Sequence, residues 1–359
     1  MLTPRSHVAA ILGAMRTNHP ASLPPSSRFQ LAPDLEICRI INGMWQVSGA
    51  HGLIDSENAV ESMFSYLDAG FTTWDLADHY GPAEDFIGEF RRRLANRRGS
   101  EATAGVQAFT KWVPNPGPMD RTWVEENINK SLGRMNVERL DLLQFHWWDY
   151  GDERYLEALG HLGELRDEGK IRYLGLTNFD TQQLQKIVDM GHQVVSNQVQ
   201  YSLIDRRPEI KMAQYCQGQG IHMLAYGTLA GGLLSDRYLG QPEPGRAALT
   251  TASLSKYKQM VDTWGGWNLF QELLLTLKVV ADRHSVSIAD VAMRYIVDRP
   301  AVAGVIIGVR LAVADHLEDN ARVFGLELGL EDLDEIELVL SRSRDMYQAI
   351  GDCGDEYRR

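Results

Sequence analysis

Between residues 38 and 323 the chain alternates eight apolar runs of strand length with eight amphipathic runs of helix length, and few folds accommodate that rhythm. A repeated strand-helix unit builds a parallel sheet with its helices outside, and eight units are the number that closes the sheet on itself. Strands are expected at 38–45, 72–77, 105–111, 140–147, 171–177, 194–200, 221–226 and 302–308, and helices near 55–69, 83–95, 120–135, 153–168, 180–190, 208–219, 266–284 and 313–323. Asp55 and Asp180 stand where helix N-caps belong, and a helix restarts within Ser285 to Asp290. Gly70, Gly169 and Gly191 follow helix ends, where a left-handed residue stops the helix. The fold expected is α/β, a (β/α)8 TIM barrel over residues 35–345. One connection breaks the rhythm: residues 228–264, rich in Gly, Pro and Ser, predict a long loop after strand 7 on the ligand-binding face. An acidic helix near 331–344 and a polar tail, 346–359, follow the eighth unit and are expected on the barrel's outside. Residues 1–34 read as an N-terminal extension. They carry Arg5, Arg16 and Arg28 and no acid before Asp34, in a chain with 48 acidic residues. That composition suits either a disordered or loosely docked segment or a transit peptide. A cytoplasmic location is expected, or an organellar one if residues 1–33 are a targeting segment.

Composition narrows the function classes. With 359 residues, 44% hydrophobic and 23% charged, the chain can bury one large core. No apolar run approaches the roughly 18 to 20 residues that span a bilayer, so no membrane partner is expected. A formal charge of -12 argues against nucleic acid, whose phosphates call for a basic face. Cys38, Cys216 and Cys353 lie far apart, and the histidines show no metal-binding spacing, so neither a disulfide framework nor a metal site is expected. Oligomeric state is unread.

Four polar residues, Asp75, Tyr80, Lys111 and His146, lie at or just after the ends of three consecutive predicted strands. A closed parallel barrel delivers all those ends to one face, so the four converge. A phenol is a poor acid at neutral pH unless its phenolate is stabilised. Lys111 would supply the positive charge, Asp75 would hold Lys111 charged and aimed, and His146 would orient a substrate oxygen. Singly, Asp75 reads as a turn cap, Lys111 as a surface residue and His146 as a core histidine; their joint placement favours a proton donor for a carbonyl. A Schiff-base lyase with Lys111 as nucleophile is the rival chemistry. It needs a lysine of lowered pKa, against which Asp75 argues.

The motifs G-M-W-Q, W-D-L-A-D-H-Y-G, F-T-K-W, L-Q-F-H-W and G-K-I-R-Y-L-G-L-T-N resemble those of the aldo-keto reductases, over about residues 38–324. The resemblance implies carbonyl reduction by a nicotinamide cofactor, with Asp75, Tyr80, Lys111 and His146 as the catalytic tetrad. It also implies that Gly43, Met44, Trp45 and Asp75 approach the nicotinamide, although relatives often have Thr in place of Met44. Thr177, Asn178 and Gln198 would bind the carboxamide, and Tyr226, followed by Gly227 and Leu229, would stack on the ring. At the adenosine end Gly308, Arg310, His316, Asp319 and Asn320 match. The interval from Arg310 to Asn320 is about two residues longer than in many relatives, and His316 stands where Arg or Gln is common. Arg310 would bind the 2′-phosphate, so NADPH/NADP+ is expected, with NADH as the alternative. Trp45, Tyr80, Trp112, His146 and Trp147 are assigned to the substrate pocket, and Trp148, Trp264 and Trp267 are further candidates. A small-molecule carbonyl or alcohol is the expected substrate. A redox-sensing regulatory subunit of the same fold is the alternative function. Substrate identity and preferred direction are not legible in the residues.

Overall fold

The computed structural model describes residues 23–49, 54–313 and 316–358. Eight parallel strands close into a barrel: β3 (Ile40–Gly43), β4 (Thr73–Asp75), β5 (Gln107–Trp112), β6 (Leu140–Phe145), β7 (Ile171–Thr177), β8 (Ser196–Gln200), β9 (His222–Tyr226) and β10 (Val302–Gly308). Strand β10 returns to pair with β3, with Gly308 opposite Gly43. Around the sheet lie α1 (Ser56–Asp68), α2 (Ala83–Arg98), α3 (Arg121–Met135), α4 (Arg154–Asp167), α5 (Thr181–Asp189), α6 (Met212–Gln219), α8 (Gly266–His284), α9 (Ile288–Val297) and α10 (Leu317–Arg322). The caps lie where the residue types place them. Asp55 and Asp180 each accept a backbone N–H three residues on, at 2.8 and 2.6 Å. Ser287 and Asp290 form a reciprocal capping box at the start of α9.

Several elements depart from the sequence expectation. Most expected strands are trimmed by one to four residues, at the N-terminal end in β5, β8 and β9 and at the C-terminal end in β6. A hairpin of β1 (Arg28–Ala32) and β2 (Leu35–Cys38) precedes the barrel, so a domain boundary at 34/35 would cut it in two. Its Leu31, Leu35 and Ile37 pack on Ile41, Phe109, Leu142, Leu224 and Ala303, from five barrel strands. The hairpin thus plugs the barrel end opposite the strand C-termini. Residues 1–22 of the expected extension lie outside the described residues. The 228–264 connection is only partly loop: three short 3-10 turns lead into α7 (Ala252–Trp264), capped by Thr251 and buried through Tyr257, Met260, Val261 and Trp264. Helix α10 is shorter than the 313–323 expected, and residues 314–315 lie outside the described set. The acidic helix α11 (Leu330–Leu340) packs outside on α8, and a short α12 (Met346–Ile350) follows. The segment after α12 does not stay on the outside: it crosses onto the catalytic face.

Candidate active site

Strand β4 ends on Asp75, 3% exposed, and β5 brings Lys111, 4% exposed, beside it. Lys111 Nζ donates to Asp75 Oδ2 at 2.5 Å and to the Leu76 carbonyl at 2.8 Å. The other carboxylate oxygen accepts from Gln144 Nε2 at 2.9 Å and from Gln198 Nε2 at 2.7 Å. Burial pulls Lys111 below the ordinary lysine range, and Asp75 opposes that pull.

Tyr80, in the loop after β4, sits with its ring 4.8 Å from Lys111 Nζ and edge-on to Trp45 at 5.0 Å. The ammonium therefore lies beneath the ring face, its donors directed to Asp75 and Leu76. Lys111 thus faces the Tyr80 ring rather than donating to its hydroxyl. Burial, and then the Asp75 charge, push the phenol well above its usual value, so Tyr80 holds its proton firmly.

His146 follows β6 and is 2% exposed. Its Nδ1 lies 3.1 Å from the Thr177 carbonyl, which can only accept, so Nδ1 carries the hydrogen. Burial lowers this imidazole to about 4, leaving it neutral at pH 7 with an unprotonated Nε2. That Nε2 is buried without a partner among the described residues. In this tautomer it accepts a hydrogen bond from a hydroxyl and offers none to a carbonyl oxygen. An unfolded imidazole titrates near 6.5, so between that pH and about 4 the unfolded chain binds the extra proton. Stability is therefore lost as pH falls through this window and is insensitive to this group above it. Between pH 7 and pH 5 the wild type should lose on the order of 2 kcal/mol more than His146→Gln in denaturant titrations. Parallel losses in the two proteins would rule out a buried neutral His146.

The remaining expected residues divide into three groups. Around the tetrad, Met44 is fully buried and Trp45 half-buried. Gly43 lies so close to β10 that a Cβ there would meet Ile306 at 2.7 Å. Thr177 is buried, Asn178 adopts a left-handed φ of 59°, and the Tyr226 hydroxyl donates to Asn178 Oδ1 at 2.8 Å. Gln198 uses its amide N–H groups on Asp75 and Gln144, leaving its oxygen without a partner among the described residues. Gly227, at φ 72°, begins the turn that carries half-buried Leu229, and a Cβ at Gly227 would meet the Tyr257 hydroxyl at 2.2 Å. At the β10 end, Gly308 lies against the Gln46 side-chain amide. Arg310 is exposed, and its guanidinium has no partner among the described residues. His316 is exposed, Asp319 pairs with Arg322, and Asn320 is buried.

The tryptophan assignments need correction. Trp147 is fully buried and donates its indole N–H to the carbonyls of Asp149 and Asp152, so it packs rather than lining an opening. The next residue, Trp148, stands edge-on to His146 at 4.4 Å with 38% of its surface exposed. Trp112 is buried against Phe145, and Trp264 and Trp267 are buried in their helices. Sequence reasoning also missed Gln144, although a lone amide in the apolar run L-D-L-L-Q-F was a signal. It missed Lys256, Glu356 and Tyr357 as well: the Tyr357 hydroxyl lies 3.1 Å from that of Tyr226 and accepts from Lys256 Nζ at 2.5 Å. Only a tyrosine and a cysteine within the polar string D-C-G-D-E-Y-R-R hinted at a docked segment.

The chain is similar to known proteins in sequence and in fold. Protein tas of Escherichia coli (strain K12) is 27% identical over 79% of this chain and 90% of its own length. Aldo-keto reductase YhdN of Bacillus subtilis (strain 168) is 26% identical over 86% and 92%. Among solved structures, the glycerol dehydrogenase AKR11B4 from Gluconobacter oxydans superposes with a TM-score of 0.73 at 24% identity, covering 89% of this chain and 96% of that one. The sequence model of the aldo/keto reductase family matches residues 39–340, a stretch that runs from the first barrel strand through α11. With a closed eight-stranded barrel and a match over most of its length, this chain belongs to the aldo/keto reductase family, whose members are oxidoreductases.

Proposed function

We propose that this protein is an NADPH-dependent carbonyl reductase that converts aldehyde or ketone groups of small molecules to alcohols, reversibly. The observation that carries the reading is the buried Asp75–Lys111 pair under the Tyr80 ring, beside a histidine whose Nε2 is buried and unpartnered.

The residues present suit a nicotinamide dinucleotide. Gln198 has an amide oxygen, unpartnered among the described residues, to accept from a carboxamide, Tyr226 offers a ring for stacking, and Asn178 stands beside it. Arg310 offers a guanidinium fork with no partner among the described residues for a phosphate. Gly43, Met44, Trp45, Thr177, Gly227 and Leu229 would complete the nicotinamide end, and Gly308, His316, Asp319 and Asn320 the adenosine end. The cofactor, when bound, supplies the hydride.

The protein's part is proton delivery and orientation. Tyr80, its phenol kept protonated by burial, donates to the oxygen that becomes the alcohol. Lys111, fixed by Asp75 and the Leu76 carbonyl, places positive charge under the ring and steadies the phenolate that forms. His146 Nε2 accepts from the hydroxyl of the alcohol, which aligns the carbon-oxygen bond in the reverse direction and holds the product in the forward one. Trp45 and Trp148 supply apolar contact on the accessible side.

Fluorescence titration with NADPH and NADH tests the reading. Arg310→Ala is expected to weaken NADPH binding about 10- to 100-fold, the value of a hydrogen bond to a charged group, and to leave NADH nearly unchanged. Equal loss for both nucleotides would move Arg310 away from the 2′-phosphate. Failure to bind either nucleotide, both by the full chain and by one ending at Glu356, would sink the reductase reading.

A further inference from the structure

Segment Asp352–Arg358 is rich in charge, and such a segment is ordinarily solvated, yet here it is fastened across the catalytic face. Its root is held by Arg207, itself 2% exposed and paired with Asp205 at 2.7 Å. Arg207 donates to the Asp352 carbonyl at 2.9 Å and to Glu356 Oε2 at 3.0 Å. Asp352 Oδ2 accepts the Thr181 N–H at 3.1 Å, and Cys353 is 1% exposed. Although burial disfavours its charge, Glu356 is drawn below the ordinary carboxylate range by Arg207 and Lys256, so it holds as an anion.

From that root the segment reaches the residues assigned above to the nicotinamide. Gly354 comes so near the Asn178 carbonyl that a Cβ would lie 2.0 Å from it, and its φ of 85° suits glycine alone. Arg358 donates to the same Asn178 carbonyl at 2.6 Å and to the Trp147 carbonyl at 2.7 Å, with its guanidinium 4.0 Å above the Tyr150 ring. Tyr357 goes furthest. Lys256 donates to its hydroxyl at 2.5 Å, that hydroxyl lies 3.1 Å from the Tyr226 hydroxyl, and Tyr226 donates to Asn178 Oδ1 at 2.8 Å. The Tyr357 ring lies 4.5 Å from Lys256 Nζ and 6.3 Å from the His146 ring. Lys256 Nζ in turn lies over the Tyr226 ring at 5.2 Å.

We propose that Asp352–Arg358 is an intramolecular latch: Tyr357, with Lys256 behind it, occupies the nicotinamide end of the cofactor site and must withdraw before a dinucleotide seats there. The proposal rests on reading Tyr226 and Asn178 as nicotinamide contacts. When the binding-competent state is only partly populated, apparent affinity falls by that fraction, so releasing the latch tightens binding.

The test compares the full chain with one ending at Glu356, which keeps the Arg207 anchors and removes Tyr357 and Arg358, and with Tyr357→Phe, which removes only the hydroxyl. NADPH fluorescence titration should show Kd falling by about fivefold or more in the shortened chain, and less but in the same direction in Tyr357→Phe. Hydrogen exchange at residues 353–358 of the full chain should quicken on saturation with NADPH. Binding by the shortened chain alone would be the strongest support. Equal or weaker binding after shortening, or protection of the segment by NADPH, overturns the latch and leaves the reductase reading intact. Absence of binding in all three proteins overturns both.

Discussion

Tyr80→Phe is expected to lower kcat for carbonyl reduction by about 10²- to 10⁴-fold, the range that a positioned general acid contributes. NADPH affinity and melting behaviour should be unchanged. No described residue hydrogen-bonds the Tyr80 hydroxyl, while the ring keeps its edge contact with Trp45 and its place above Lys111 without it. The oxygen is therefore dispensable for packing and needed for proton delivery. Steady-state kinetics on a panel of small aldehydes, alongside the cofactor titration, separates the two. Turnover within tenfold of wild type would remove Tyr80 from the acid role and return weight to a sensing subunit in which chemistry is incidental.

The largest expected effect on stability lies just beneath. Asp75→Ala should cost about 3–5 kcal/mol, the penalty of breaking a buried ion pair from one side. Lys111, 4% exposed, would keep only the Leu76 carbonyl, and the Gln144 and Gln198 amides would each lose an acceptor. Denaturant unfolding of Asp75→Ala, Lys111→Met and the double variant measures this. The double variant should be less destabilised than the sum of the single changes, because no uncompensated charge is left behind. A loss under about 1 kcal/mol for Asp75→Ala would mean that Lys111 sheds its proton or finds water, and that the pair does not hold the site together.

The eightfold rhythm was legible because strand and helix periods are local properties, and the capping residues that bound α1, α5 and α9 act over three or four positions. Helix α7 was also readable, since Tyr257, Met260, Val261 and Trp264 recur at helical spacing; the Gly and Pro before them masked it. The β1–β2 hairpin was not, because Leu31, Leu35 and Ile37 find their partners only inside a barrel already closed.

The sequence alone determined the barrel and brought Asp75, Tyr80, Lys111 and His146 to one face, because each lies at or just past a strand end and parallel closure sends all those ends the same way. It could not determine how those groups are charged or what lies on top of them. The His146 tautomer is set by the Thr177 carbonyl, 31 residues away, and the firm hold of Tyr80 on its proton by burial. Trp148 rather than Trp147 accompanies His146 because the Trp147 indole is tied to two carbonyls in the following turn. The placement of the Tyr357 hydroxyl beside that of Tyr226 depends on Arg207 gripping Asp352 and Glu356 across 145 and 149 residues. Contacts at such separation leave no periodicity in the chain: the folded barrel creates them, by burying an arginine that must then be paired.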